Sequence, residues 1–282
     1  MLEIKVKNNF GEILNLSSST AYTLYKVEGI TPPKMNISTS ANATSDGDTV
    51  NNVRAEKRNI VLYLTIDNDV ENNRLKLYRY FPLKRDITIC CKTDTRDMCI
   101  EGNVELIEPA LFEQKQAVQI SIICPQPYFK AIDDFVTYVA ETNNLFSFPF
   151  SISSVGTELS AITNNVRKSI VNSGEIDTGI IINLFATGEV VNPVIYDAFK
   201  RTHIKLNFTM QTNDLIVINT NSGKKSVTLI RDGVEYNAMG YLVPTSDWLK
   251  LYSGDNVFTY AADSGTSNLQ LTFTSSILYG GV

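Results

Sequence analysis

DWLKLYSGDNVFTY, residues 247–260, holds the only tryptophan of the chain, Trp248, then a tight Ser253-Gly254-Asp255-Asn256 turn, then Val257 and Thr259 alternating with Phe258 and Tyr260. Alternation with a period of two puts successive side chains on opposite faces of a pleated strand. The stretch therefore reads as strand, turn, strand, and no catalytic cluster accompanies it. It describes a building block, and it sets the expectation for the whole chain: mainly β.

The same rhythm recurs on both sides of it. In RNIVLYLTI, Ile60, Leu62, Leu64 and Ile66 fall on one face and Val61, Tyr63 and Thr65 on the other, which predicts a strand buried on both sides or nearly so. AVQISIIC repeats the pattern with Val118, Ile120, Ile122 and Cys124, with DITICC and IEGNVELIE as shorter versions. The second half offers Phe146, Phe148 and Phe150, then Ile204, Leu206, Phe208 and Met210, then Leu269, Leu271 and Phe273. Asp46-Gly47, Ser173-Gly174, Asn221-Ser222-Gly223, Asp232-Gly233 and Ser253-Gly254 are spaced as short hairpins require. One helix interrupts the strands over about 70–81: VENNRLKLYRYF sets Val70, Leu77, Tyr78 and Phe81 on one stripe, with Asp69 as N-cap and Pro82 as the stop.

Two stretches break the pattern. From Pro32 to Arg58 the large apolar residues are Met35, Ile37, Val50 and Val53 alone, and a connection of that length without a core is either disordered or held by something outside the monomer. At 125–135, PQPYFKAIDDF, two prolines end the strand at Cys124 and mark a domain boundary. The organisation expected is 1–130, carrying the arm 32–58 and the helix, followed by an all-β sandwich over 131–282.

A chain of 282 residues with 43% hydrophobic and 10% aromatic content can bury two ordinary cores. The net charge is −5, and acidic residues outnumber basic ones in both halves, so no cationic face is offered to a nucleic-acid backbone. The N-terminal MLEIKVKNNFGEI alternates apolar and charged residues and has no export-leader pattern. No apolar run approaches the roughly 20 residues of a membrane-spanning helix. A soluble product made in the cytosol, with no membrane insertion, is the expectation. Cys90, Cys91, Cys99 and Cys124 match no zinc spacing and read as small buried hydrophobes. Asn36, Asn42 and Asn207 open Asn-x-Ser/Thr triplets that matter only in a glycosylating cell.

Chemistry-bearing motifs are few. His203 is the only histidine, so any Ser-His-Asp or Cys-His scheme must pass through it, and it opens an alternating segment as a strand-end surface residue. Asp67, Asp69 and Glu71 resemble the start of a calcium loop, but Asn72 and Tyr78 stand where that loop needs Gly and Glu. Phosphate-loop, dinucleotide and zinc-protease motifs are missing, so no cofactor and no catalytic residue are assigned. Trp248 and Tyr252 are the glycan-stacking candidates of a group that includes Phe258 and Tyr260, at least two of which belong in a core.

In order along the chain, YTLYKVEGITPP, SDGDTV followed by RAEKRNIVLYLTI, VENNRLKLYRYFPLK, AVQISIICPQPYF, IVNSGEIDTGIIINLFATGEVVNPVIY and WLKLYSGDNVFTYAADSG resemble the landmarks of the distal tail protein family of long non-contractile-tailed bacteriophages. The similarity runs from about Ala21 to Tyr279 and rests on the order and spacing of the six landmarks together. Glu175 stands where that family more often has Asp, a mild change.

The resemblance implies an N-terminal β-sandwich or split-barrel-like ring domain with one helix and an Asp-Gly hairpin arm, and a C-terminal galectin-like or carbohydrate-module-like jelly-roll sandwich. It implies a hexameric ring of this chain at the virion tail tip, joining the tail tube protein to the tail fibre or tail-associated lysin protein, with receptor-binding or baseplate proteins around it. It implies a hub that is not an enzyme. Interface candidates in the arm are Asn36, Asp46, Gly47, Val50, Val53, Arg54 and Arg58, whose strands would add to a neighbouring copy. The alternatives are a carbohydrate-binding module and the equivalent hub of a contractile tail or tailocin.

Overall fold

The structure, a computed structural model, describes residues 2–42, 46–113, 115–138, 140–144, 160–164 and 167–282. The stretch with Phe146, Phe148 and Phe150 lies outside the described residues. The chain forms two compact units, Met1–Ile132 with Leu278–Val282, and Asp133–Ile277.

The first unit contains β1 (Glu3–Asn8), β2 (Ile13–Asn15), β3 (Tyr22–Glu28), β4 (Met35–Ala41), β5 (Asp48–Ala55), β6 (Arg58–Ile66), α1 (Val70–Tyr80), β7 (Asp86–Lys92), β8 (Asp97–Pro109), β9 (Ala117–Cys124) and the start of β10 (Phe129–Tyr138). An antiparallel path runs β2-β1-β7-β8-β9-β6-β3. β8 pairs with β7 over 97–103, with β10 at Met98 and Cys99, and with β9 over 103–109, with a register shift between Val104 and Leu106 that bends the sheet. Alternate residues of these strands meet in one core: Val6 of β1, Ile89 of β7, Ile120 of β9 and Leu62 of β6 are all buried in it, so the sheet curls around its own apolar face. Each such side chain contributes about 1.5–3 kcal/mol. On β6 the opposite face, Val61, Tyr63 and Thr65, is only half-buried, so this strand is covered fully on one side alone.

The helix lies where the apolar spacing puts it, with two differences. Leu77 and Phe81 are buried, but Tyr78 is exposed and the polar Asn73 occupies the inner stripe instead. The Asn73 side-chain amide donates there to the Asn68 backbone carbonyl at 2.7 Å and to the Asn68 side-chain oxygen at 3.0 Å, while the Asn73 backbone carbonyl accepts the Tyr22 hydroxyl at 2.8 Å. Burial and the neighbouring Tyr80 push the Tyr22 phenol up to about 12. Asp69 adopts a left-handed conformation (φ 39°) and makes no side-chain cap, its carboxylate being held by the Asn72 amide.

Two of the four cysteines also differ from the expectation of buried hydrophobes. Cys90 and Cys99 face each other across β7 and β8 and form a disulfide. Direct opposition on adjacent strands is what brings them together, and spacing in sequence does not reveal it. Cys91 and Cys124 are buried thiols, pushed up to about 12 and about 11 by desolvation.

The second unit contains β11 (Ala140–Asn144), β12 (Ser160–Asn164), β13 (Arg167–Asn172), β14 (Thr178–Gly179), β15 (Ile181–Ala186), β16 (Val190–Val191), β17 (Val194–Asp197), β18 (Thr202–Lys205), β19 (Thr209–Met210), β20 (Leu215–Asn219), β21 (Ser226–Arg231), β22 (Val234–Asn237), β23 (Lys250–Leu251), β24 (Gly254–Ala261) and most of β25 (Leu269–Tyr279). Two antiparallel layers, β25-β15-β20-β21-β22 and β13-β24-β17-β18, close on one apolar core. Phe258 of one layer stacks on Phe273 of the other with ring centroids 5.0 Å apart. Asp232-Gly233 is a two-residue hairpin turn with both residues at positive φ, 53° and 75°, as the twist of the flanking strands favours.

Ser173-Gly174 and Ser253-Gly254 are not hairpin turns. β23 pairs with β14, whereas β24 pairs with β13 and β17, so the Ser253-Asn256 turn carries the chain from one pairing to another, and Ser173-Gly174 does the same beside it. Two buried asparagines hold this double corner. The Asn256 amide donates to the carbonyls of Tyr252 at 2.7 Å and Gly254 at 2.9 Å while its oxygen accepts the Tyr252 N–H at 2.8 Å. The Asn172 oxygen accepts the Gly174 N–H at 3.0 Å and its amide donates to Leu251 carbonyl at 3.3 Å. Ser253 ties the two turns by donating its hydroxyl to Gly174 carbonyl at 2.6 Å and its N–H to Asp177. Where backbone partners change, orphaned amides need side-chain partners, and the Asn-Ser-Gly and Ser-Gly-Asp-Asn sequences supply them.

Candidate assembly surface

The arm is the continuation of the β3–β6 ribbon. After Glu28 the chain passes Gly29, whose φ of 79° suits glycine and whose Cβ would lie 1.9 Å from the Asn59 carbonyl oxygen, so no side chain fits there. It then runs out through β4 and back through β5, which pair with each other. Composition alone suggested a limb without structure of its own; cross-strand pairing gives it one, with Asp46-Gly47 at the tip.

Register sorts the arm into two faces. Met35 opposes Ala55, Ile37 opposes Val53 and Thr39 opposes Val50, all on one side, while Asn36–Arg54, Ser38–Asn52 and Ser40–Thr49 occupy the other. Asn51 is the extra residue at the register shift, and without it Val50 would turn to the polar side. Among the described residues nothing covers the apolar face fully: Met35, Ile37, Val50 and Val53 are 42%, 55%, 56% and 50% exposed. Among the described residues the outer edge of each strand has no strand partner. An amphipathic two-stranded ribbon with open edges is marginal by itself and offers both hydrogen-bonding backbone and apolar area to a partner.

Of the seven residues expected at an interface, Asn36, Asp46, Gly47, Val50, Val53 and Arg54 lie exposed on this ribbon. Arg58 does not. It is 4% exposed at the arm's base, and its guanidinium donates to carbonyls of its own chain: Pro127 at 2.7 Å, and Gly29, Thr31 and Gly280 at 2.6 Å each. Its carbon sits 4.8 Å from the Phe129 ring centroid. Burial pulls its pKa below the ordinary arginine value. A charge so enclosed is a clamp within the chain and has no surface to give a neighbour. Conversely, Met35 and Ile37 belong with Val50 and Val53 once register is known, a grouping that the Asp-Gly turn signal could have supplied.

The aromatic candidates divide. Phe258 and Tyr260 are core residues. Trp248 and Tyr252 are half-buried, each with an ammonium over the ring: Lys225 at 5.2 Å and Lys200 at 4.4 Å from the centroid. Burial, then the charges of Asp197, Asp177 and Asp247, raise the Tyr252 pKa. His203 is half-buried in β18, its ring 6.0 Å from that of Tyr196. Among the described residues no three His, Cys, Asp or Glu side chains gather where they could hold a metal ion, and no helix is long and apolar enough to cross a membrane.

Residues 173–276 take in most of the double corner and of both layers, leaving out β13 with Asn172 and the last residues of β25, and that span matches the family model described as siphovirus-type tail component, C-terminal domain. Residues 173–276 are thus similar to that tail-component domain over about a third of the chain. The fold of the chain is shared with solved phage structures. The SPP1 Dit (gp 19.1) protein, described as a paradigm of the hub adsorption apparatus in phages infecting Gram-positive bacteria, aligns with a TM-score of 0.67 at 12% identity over 97% of this chain and 98% of that one. A chain of the phage P2 baseplate in its activated conformation with calcium aligns with a TM-score of 0.52 at 9% identity over 98% of both. No curated protein matches the chain by sequence.

Proposed function

We propose that this chain is a structural hub of a phage tail tip, assembling as a ring of six copies that joins the tail tube to the tail fibre or tail-associated lysin and carries baseplate or receptor-binding proteins at its rim. The observation that carries the reading is the arm: an amphipathic ribbon in a chain whose residues 173–276 match a tail-component domain, with an apolar face and two outer edges that no described residue pairs or fully covers. A closed ring satisfies those edges, because each copy donates one arm and receives another. The resemblance in fold to the SPP1 Dit protein and to a phage P2 baseplate chain supports the same role. The balance of Lys34, Arg54 and Lys57 against Asp46, Asp48 and Glu56 lets arms approach without strong repulsion. The chain works by binding and carries no chemistry of its own; its place is the virion tail tip, after synthesis in the host cytoplasm. Electron micrographs of the purified protein are expected to show six-fold annuli with a central hole. A monomer in light scattering at high concentration, with no annulus at the tail tip, refutes the reading.

A further inference from the structure

The chain passes from the first unit to the second after Ile132 and re-enters the first at Leu278. Within the first unit, the residues before Ile132 and those after Leu278 meet one side chain, Arg58. Pro127, whose carbonyl accepts from Arg58 Nε at 2.7 Å, and Phe129, whose ring lies under the guanidinium, open β10; Gly280, whose carbonyl accepts from Nη2 at 2.6 Å, follows the end of β25. The remaining nitrogen, Nη1, donates to Gly29 and Thr31 where the arm departs, and Arg58 itself opens β6 where the arm returns.

The segment after β25 closes the same point from outside. The Val282 N–H donates to Ile30 carbonyl at 3.0 Å, Arg96 Nη1 donates to Gly281 carbonyl at 3.1 Å, and the Arg96 guanidinium carbon lies 4.7 Å from the Tyr279 ring centroid. Gly281 passes so close that a Cβ would lie 2.9 Å from Pro32 N and 3.0 Å from Ile30 carbonyl oxygen. Among the described residues, the hydrogen bonds of the Arg58 guanidinium at Pro127, Gly29, Thr31 and Gly280 all go to neutral carbonyls. Burying a cation against dipoles alone is costly; what it gives in return is geometry, since only a planar fork of five donors reaches carbonyls on several sides at once.

We propose that Arg58 is a positioning residue that, together with the segment Gly280–Val282, fixes the direction in which the arm leaves the chain, so that a shift at the start of β10 or the end of β25 re-aims the arm. The value of this for ring formation rests on the hub reading; the aiming itself does not.

The test measures the arm's direction in the full chain. Spin labels are placed through Ser38→Cys on the arm and Glu101→Cys on β8, both at exposed positions, while the buried Cys91 and Cys124 stay unlabelled. Labelled chain is diluted into unlabelled chain so that each assembly carries one labelled copy, and distances are read by pulsed paramagnetic resonance. A single narrow distance is expected, and its loss to a broad or displaced distribution in Arg58→Lys and in Gly281→Val, with circular dichroism unchanged. A narrow distance retained in both variants, or a fall in thermal midpoint with the distance unmoved, overturns the proposal, as does a broad distance in the unmodified chain. Should Arg58→Lys fail to fold, Gly281→Val decides by the same two outcomes. Light scattering on the same samples tests ring formation separately: a narrow distance in a chain that never assembles sinks the hub reading and leaves the clamp standing.

Discussion

Replacing Ile37 and Val53 together by threonine keeps β-branched residues in the arm and removes only apolar area. The two side chains are directly opposed and are 55% and 50% exposed in the chain, so about half of each remains to be buried by a partner. Full burial of such a side chain is worth about 1.5–3 kcal/mol, which leaves about 1 kcal/mol for each and about 2 kcal/mol for the pair at every arm contact. That corresponds to about a 30-fold weaker contact, repeated at each junction of a ring. The folded chain itself should hardly notice, because exposed substitutions shift stability by about 0.5 kcal/mol or less. Sedimentation velocity across a concentration series, beside thermal unfolding of dilute chain, separates the two effects. Assembly unchanged in the double variant, or a thermal midpoint that drops with assembly intact, would refute the assignment of this face to a partner.

The double corner predicts a different pattern: Asn256→Ala strips partners from the Tyr252 N–H and from the carbonyls of Tyr252 and Gly254, and should cost about 1–3 kcal/mol in urea unfolding, whereas Asn207→Ala, in a loop of the same unit, should cost far less. A third expectation concerns acid. Asp214 is buried, grips Arg231 through bonds of 2.7 and 2.5 Å and accepts the Gln211 N–H, which holds its carboxyl below the ordinary value of 3.8. A depressed folded-state pKa means stability that is fully present above about pH 4 and is lost as pH falls through the folded value. Asp214→Asn should therefore lower the urea midpoint at pH 6 and flatten its decline between about pH 4 and pH 2; an equally steep decline in the variant counts against the pair.

Much of the first unit was legible because period-two alternation is a local property. Ile60 to Ile66 and Val118 to Cys124 could only be strands, and both line the core as their spacing requires. The helix was placed by Val70, Leu77 and Phe81, yet Tyr78 and Asn73 exchanged roles, because burial of the Asn73 amide depends on acceptors at Asn68 that no helical wheel contains. The arm residues were singled out by composition, but their sorting into an apolar and a polar face needed the register and the extra residue at Asn51. Arg58 was misjudged for the opposite reason: an arginine at the end of a polar stretch looks solvated, and the four carbonyls that surround it come from Gly29, Thr31, Pro127 and Gly280.

By itself the sequence determined the class of structure, the positions of most strands and the Asp-Gly turns, since these follow from residue-to-residue geometry over a few positions. Only the tertiary structure decided that Cys90 meets Cys99, that Ser253-Gly254 carries the chain between two pairings where a hairpin was expected, and that Leu278–Val282 rejoins the first unit beside the arm's base. Each of these depends on which distant backbone supplies the missing hydrogen-bond partner, and a strand's own pattern says which face it buries without saying which strand lies beside it.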